Sequence, residues 1–187
     1  MKKKLNIILT VLVAMSLSAY AKTSAGIYLN LSDYRNNKLS CESEKGTHIH
    51  IRDFFWNMST IRVVNDGKKI TYRKSELYGY RDGKDDVYRF YHNTEYRIAE
   101  AGNIYIYVQE KNIAQSKGYK VVNKYYFSTG ADSEILPLTI NNLKYAYKGN
   151  DKFCDLADQF FSRDDAFVYD QQDNTFKANY VYSKAIQ

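Results

Sequence analysis

The chain is poor in the residues that usually announce a chemistry. Its 187 residues include two cysteines, three histidines, one proline and one tryptophan. Two cysteines are too few for a disulfide-dense scaffold or a four-thiolate zinc site. A single proline, with no low-complexity tract, leaves no obvious linker. No repeat of fixed period is present, and no apolar run reaches the roughly 20 residues that a membrane-spanning helix needs. Neither Gly-x-Ser-x-Gly nor a cysteine in a recognisable protease context occurs, and three histidines supply few general bases.

The longest apolar run lies at the start. Met1-Lys2-Lys3-Lys4 carries three positive charges, and Leu5 to Leu17 is apolar apart from Asn6, Thr10 and Ser16. Ala19-Tyr20-Ala21 supplies a small-x-small cleavage pattern, so residues 1–21 read as a signal peptide cut after Ala21. No cysteine follows closely enough to take a lipid, so an exported chain without a transmembrane anchor is expected. Cleavage leaves 166 residues, the size of one domain with its own core. It also leaves 24 basic against 21 acidic residues, a net charge of +3 in place of +6. That surplus is too small and too evenly spread to argue for nucleic acid.

From Thr60 to Phe127 the sequence reads as an antiparallel meander. Asp66-Gly67, Asp82-Gly83-Lys84-Asp85-Asp86 and Ala101-Gly102-Asn103 each stand between strand-like runs as turns. Ile104-Tyr105-Ile106-Tyr107-Val108 alternates, with aliphatics on one face and tyrosines on the other. Tyr119 to Phe127 forms the last long strand, after a looser polar loop containing Gly118. Gly26 to Asn30 and His48 to Arg52 read as earlier short strands, and Asp53-Phe54-Phe55-Trp56 as an aromatic plug at an end of the core.

Helices are expected after Ser128. Thr139 caps one that carries Ile140, Leu143 and Tyr147 on one face and stops at Gly149 as a left-handed cap. A second opens at Asn150 or Asp151, with Phe153, Leu156, Ala157, Phe160 and Phe161 at helical spacing. Ser162 with Asp165 resembles a capping box for a short third helix, and Phe176 to Tyr182 reads as a closing strand or extended tail. Strands first and helices last make the class α+β: a curved antiparallel meander followed by two or three short helices. Either the meander curls into a barrel-like sheet, or the helices cover one face and tyrosines remain on the other.

The candidate constellations are weak. His48-x-His50 places two imidazoles on one strand face, where they can share a metal with a third ligand such as His92, Glu42 or Glu44, but no spacing singles one out. Two surface histidines are the commoner case. Asp82 to Asp86 fails the EF-hand pattern at Lys84 and Val87, and Gly79 to Lys84 fails the phosphate-loop spacing. No residue is assigned a catalytic or metal-ligating role, and no cofactor is expected. Cys41 and Cys154 can pair in an oxidising compartment or remain two small buried thiols; both readings stay open.

What the chain has in excess is tyrosine, nineteen in all, many interleaved with basic residues. A tyrosine ring offers a flat apolar body and a polar tip, which suits partner surfaces and sugar rings, although tyrosine is also a good strand residue at a core edge. The candidate ligand-binding set is Tyr78, Tyr80, Tyr105, Tyr107 and Tyr126.

The texture of the chain resembles a family of uncharacterised exported proteins of Bacteroidota-type Gram-negative bacteria. The likeness rests on Gly26-Ile27-Tyr28-Leu29 with Asp33-Tyr34 and Asn37-Lys38, on Tyr78-Gly79-Tyr80-Arg81 and on Tyr88-Arg89-Phe90. It continues through Tyr125-Tyr126-Phe127-Ser128, Asn142-Leu143-Lys144 and Phe153-x-Asp155-Leu156. The resemblance implies an exported envelope protein and brings no activity or catalytic residue. The first expectation is therefore a periplasmic or secreted binding module whose partner is an envelope protein or a glycan. A metal-assisted or carboxylate hydrolase and a structural accessory of an envelope assembly are the alternatives.

Overall fold

The computed structural model describes residues 24–42, 48–50, 59–162 and 165–187. The signal-peptide reading, the aromatic run 53–56 and Glu44 lie outside them, as do the side chains of His48 and His50.

Seven strands form one antiparallel sheet. In chain order these are β1 (Gly26–Tyr28), β5 (Gly79–Arg81), β6 (Val87–Tyr91), β7 (Thr94–Ala101), β8 (Tyr105–Gln115), β9 (Gly118–Ser128) and β10 (Leu136–Pro137). They lie side by side in that same order, β1 at one edge and β10 at the other. The sheet therefore stays open, which corrects the barrel-like alternative. The meander is also divided: β2 (His48–His50), β3 (Thr60–Asn65) and β4 (Lys68–Arg73) form a separate three-stranded sheet. β1 breaks the run by pairing with β5, Ile27 opposite Tyr80.

Turn chemistry sets the local registers. Asp66 and Gly67, at φ of 49° and 77°, join β3 to β4 in a two-residue turn, as a type I′ hairpin requires. His92 and Asn93, at 49° and 60°, do the same between β6 and β7. The Asp82 carboxylate accepts the backbone N–H groups of Lys84 and Asp86, which closes the β5–β6 connection.

The helices are α1 (Leu31–Arg35), α2 (Ile140–Ala146), α3 (Asp151–Phe160) and α4 (Lys177–Ala185). Thr139 accepts from the Asn142 N–H at 3.2 Å and Asn150 from the Phe153 N–H at 2.9 Å, so both expected caps form, each contributing about 1 kcal/mol. Three expectations change. Gly149 lies beyond Tyr147, which ends α2, and it is not in the left-handed region. Ser162 and Asp165 do bond to each other, but they open only a single 3₁₀ turn, Asp165–Phe167. Of the segment Phe176 to Tyr182, read as a closing strand or tail, Phe176 ends a two-residue strand, Thr175–Phe176, and the rest is α4, whose Ala178, Val181 and Ala185 are buried. Among the described residues no helix is long and apolar enough to cross a membrane.

One face of the large sheet carries the core in two parts. Near β8–β9, Ile104, Ile106 and Phe127 pack with Leu143, Phe153, Ala157, Phe176 and Val181 from the helical end. Near β1–β5–β6, Ile27, Tyr80 and Phe90 pack with Ile61 and Val63 of the small sheet. The opposite face takes Tyr28, Tyr91, Tyr96, Tyr105, Tyr107 and Tyr126. Gly79 makes the β5–β6 pairing possible, because a Cβ there would stand 1.9 Å from the Tyr88 carbonyl oxygen. Gly79→Ala should therefore cost about 3 kcal/mol or more, read as a lowered denaturant midpoint; an unchanged midpoint would mean that the two strands do not approach as described.

Candidate functional site: the tyrosine face of the large sheet

The two-residue period of β8 sorts its side chains. Tyr105, Tyr107 and Gln109 stand on one side, and Ile106 and Val108 on the other. Pairing extends this division across the sheet: Tyr107 faces Tyr126 and Ile98, Arg89 faces Tyr96, and Tyr28 faces Gly79. Tyr34 reaches the same layer from α1, stacked on Tyr78 at 4.7 Å, with Tyr28 edge-on at 5.6 Å.

Arg89 lies inside this layer and is only 4% exposed. One guanidinium nitrogen donates to the Tyr107 hydroxyl at 3.0 Å and the other to the Ser133 carbonyl at 2.7 Å. The cation lies 5.5 to 6.0 Å from the ring centres of Tyr91, Tyr78 and Tyr107. No carboxylate pairs with it among the described residues, so ring quadrupoles and neutral oxygens carry its charge. The loop 129–135 completes the enclosure: Tyr78 donates to the Ala131 carbonyl, and the Ser128 hydroxyl meets Tyr107 while donating to Gly130.

The five predicted tyrosines do not act together. Tyr107 and Tyr78 are buried floor; Tyr80 is buried on the other side of the sheet, stacked on Tyr88 at 4.6 Å. Only Tyr105 and Tyr126 are half-exposed, joined at the surface by Tyr34, Tyr91 and Tyr96. Tyr96 packs edge-on against both Tyr126, at 5.1 Å, and Tyr107, at 6.1 Å. The sequence missed Tyr34, Tyr91 and Tyr96, although the repeated Tyr-Arg spacing along β6 and β7 carried part of the signal. Burial holds the phenols of Tyr34, Tyr78 and Tyr107 above their ordinary pKa; at Tyr107 it outweighs the opposing bonds from Ser128 and Arg89.

The other sequence candidates lie elsewhere. Cys41 packs against the small-sheet cluster, 3.3 Å from the Tyr72 hydroxyl, and that contact together with burial pushes the Tyr72 phenol up to about 12. Cys154 lies between α2 and α3, 3.8 Å from the Lys144 and Tyr147 carbonyls. Both are thiols in separate regions, so no disulfide joins them in this structure. His92 occupies the exposed β6–β7 turn and lies edge-on to Tyr91. Among the described residues no cluster of three or more metal-ligating side chains occurs.

A polar cleft of about 380 Å³ opens where α4 meets the β7–β8 turn, lined in part by Glu100, Asp173, Asn179 and Lys184. The Glu100 carboxylate is already engaged, accepting from the Thr175 hydroxyl, the Phe176 N–H and the Asn179 amide. Asn179 also closes two 2.8 Å bonds with the backbone of Ile104, one to its N–H and one to its carbonyl. This clasp fastens α4 to the sheet.

Comparison with family models, with curated proteins and with solved structures finds no match to this chain.

Two outcomes follow from this geometry. Asn179→Ala leaves the Ile104 N–H and carbonyl buried and unpaired, and should cost about 2–4 kcal/mol in urea unfolding. A phenol whose folded pKa is raised contributes nothing differential below the unfolded value of 10.0, then loses stability as pH climbs toward the folded value. An alkaline titration should accordingly show tyrosinate absorbance from the buried rings only together with loss of near-ultraviolet dichroism. Full ionisation with the dichroism intact would contradict the enclosure of Tyr78 and Tyr107.

Proposed function

We propose that the protein is an exported binding module of the cell envelope, and that the tyrosine face is its contact surface for a hydroxyl-rich ligand. The observation that carries this reading is the division of that face into a buried floor and a half-exposed rim. Tyr28, Tyr78, Tyr107 and Arg89 are held by mutual stacking and hydrogen bonds, while Tyr91, Tyr96, Tyr105 and Tyr126 remain partly open above them. A fixed floor lowers the entropy cost of presenting the rim rings, and preorganisation of this kind is what a recognition surface gains from rigidity.

The export half of the reading is supported by the basic, apolar and small-x-small order of residues 1–21, and by the resemblance of Tyr78-Gly79-Tyr80-Arg81 and its companion motifs to exported proteins. The ligand half is supported by ring chemistry, since phenols supply both a hydrogen-bonding tip and an apolar edge.

The test compares Tyr105→Ala/Tyr126→Ala with Tyr145→Ala/Tyr169→Ala, the latter pair being exposed away from the face. Binding to a polysaccharide fraction of the host envelope is measured by affinity electrophoresis. The rim pair should weaken binding about tenfold, with Tm lowered by only a few degrees. The control pair should bind as the parent does. Equal loss in both pairs, or binding untouched in the rim pair, would remove the tyrosine face from the contact.

A further inference from the structure

The strands of the large sheet sort their charges by face. The same pairings that place Tyr105, Tyr107 and Tyr126 on one side place Arg81, Arg89, Lys111, Lys120 and Lys124 there, with no strand carboxylate. Glu95, Glu100 and Glu110 all project from the other side, in company with Arg97. Arg81 is balanced by Asp85 at 3.3 Å and Arg89 is buried, so the accessible charge of the strands on the tyrosine side is that of their lysines, while the loop over Arg89 adds the exposed Asp132 and Glu134 at the other end of the face from the arm.

Those lysines lie on an arm. β8 and β9 pair from Tyr105↔Ser128 to Gln115↔Gly118, but β7 reaches only Val108 and β10 only Tyr126. From Glu110 to Lys124 the two strands project into solvent as a ribbon, nearly every residue exposed. On the tyrosine side, Lys124 follows Tyr126 along the strand, Lys111 stands opposite Val122, and Lys120 opposite Ile113. Lys117 sits in the turn. None of the four makes an ion pair among the described residues, and Glu110 is the ribbon's one acid, on the reverse side.

We infer that the ligand of this face is an acidic polysaccharide, its hydroxyls meeting the tyrosine rim and its carboxylates or other anions running along the lysines of the arm. The inference rests on the binding-module reading and names its ligand class. A long polyanion fits a row of uncompensated ammonium groups that continues a row of phenols. Of the rim rings, Tyr96 packs edge-on against Tyr126 at 80°, a geometry that offers edges and hydroxyls more than the open faces on which unpaired bases stack, while Tyr105 lies nearly parallel to the buried Tyr107 at 28°. Among the described residues the face carries none of the Trp, Phe or Met anchors that dominate many protein interfaces. Lysines on both strands of the arm guard its open edges against strand addition and set one copy against another.

The test uses the whole protein in affinity electrophoresis against polygalacturonate and dextran, with single-stranded DNA as a further probe, at low and moderate salt. Polygalacturonate should retard the protein, less so as salt rises, while dextran and DNA should act much more weakly. Lys111→Glu/Lys120→Glu/Lys124→Glu should cut the affinity for polygalacturonate about tenfold or more. Lys68→Glu/Lys69→Glu/Lys152→Glu, exposed elsewhere and equal in charge change, should change it little. The corresponding Lys→Gln triple repeats the test if the Glu variant unfolds. Equal loss in both charge variants would reduce the effect to net charge and overturn the proposal. Equal retardation by dextran would overturn the acidic ligand while leaving the sugar-binding reading intact. DNA binding as tight as polygalacturonate binding would overturn the polysaccharide. Failure to bind either polysaccharide would do so too, with the rim-tyrosine comparison then deciding the parent reading separately.

Discussion

The structure depends on the pairing of β8 with β9, which runs unbroken over eleven positions. Because a strand alternates its side chains, this one register assigns Ile106, Val108, Tyr125 and Phe127 to the helices and Tyr105, Tyr107, Tyr126 and Ser128 to the other face. A slip by one residue would exchange the two sets. It would put hydroxyls against Leu143 and Phe153 and leave aliphatics in the tyrosine layer, at a cost no local rearrangement offsets. The bulge between Ile98 and Glu100 belongs to the same constraint: it keeps Ile98 with Tyr107 while turning Glu100 toward Asn179.

On the tyrosine side the controlling element is a buried cation. Removing a guanidinium from water costs several kcal/mol, and a carboxylate is its usual compensation. Arg89 instead has two hydrogen bonds and three aromatic rings. Each charge-assisted bond contributes about 1.5–3 kcal/mol, and a desolvated cation–π contact up to about 2 kcal/mol, so compensation is of the same order as the cost. The arrangement ties loop 129–135 to the sheet and leaves the layer with uncancelled positive charge. Those two effects, a fixed floor and a positive bias, come from one residue.

Much of this was legible in the sequence because it is local. Asp66-Gly67 specifies its hairpin through positive φ, Thr139 and Asn150 specify helix starts through side-chain acceptors, and the alternation of Ile104 to Val108 specifies two faces. The rest depends on partners distant in the chain. Nothing near Thr60 says that β1 will pair with β5 and divide the meander, since Gly26 and Arg81 are brought together only by tertiary structure. The polar run Glu110 to Lys117 carries no clear alternation, so the outer half of β8 read as a loop. Phe176 to Tyr182 is rich in strand-forming residues, yet Asn179 bonds the backbone of Ile104 from a helix. The five candidate tyrosines failed as a set for the same reason. Parity is readable within a strand but not across turns, so Tyr80 falls on the far face, and the burial of Tyr107 depends on a residue 18 positions earlier and on a loop that follows β9.

Stability and recognition are therefore separable on this one face. The rings that hold the layer together have their hydroxyls committed inside it, Tyr78 to Ala131 and Tyr107 to Ser128 and Arg89. The rim rings stand on that floor, and the lysines extend outward where little packs on them. A two-stranded ribbon in water has little stability of its own. This arm is continuous with eleven-residue strands whose inner halves are anchored in the sheet, so its geometry is inherited from the core. Its exposed Tyr119, at 78%, and Val121 lie on the reverse side from the lysines, whereas Ile113 and Val122 stand among the lysines. A surface built this way can vary its rim and arm residues to suit a ligand without disturbing the enclosure of Arg89.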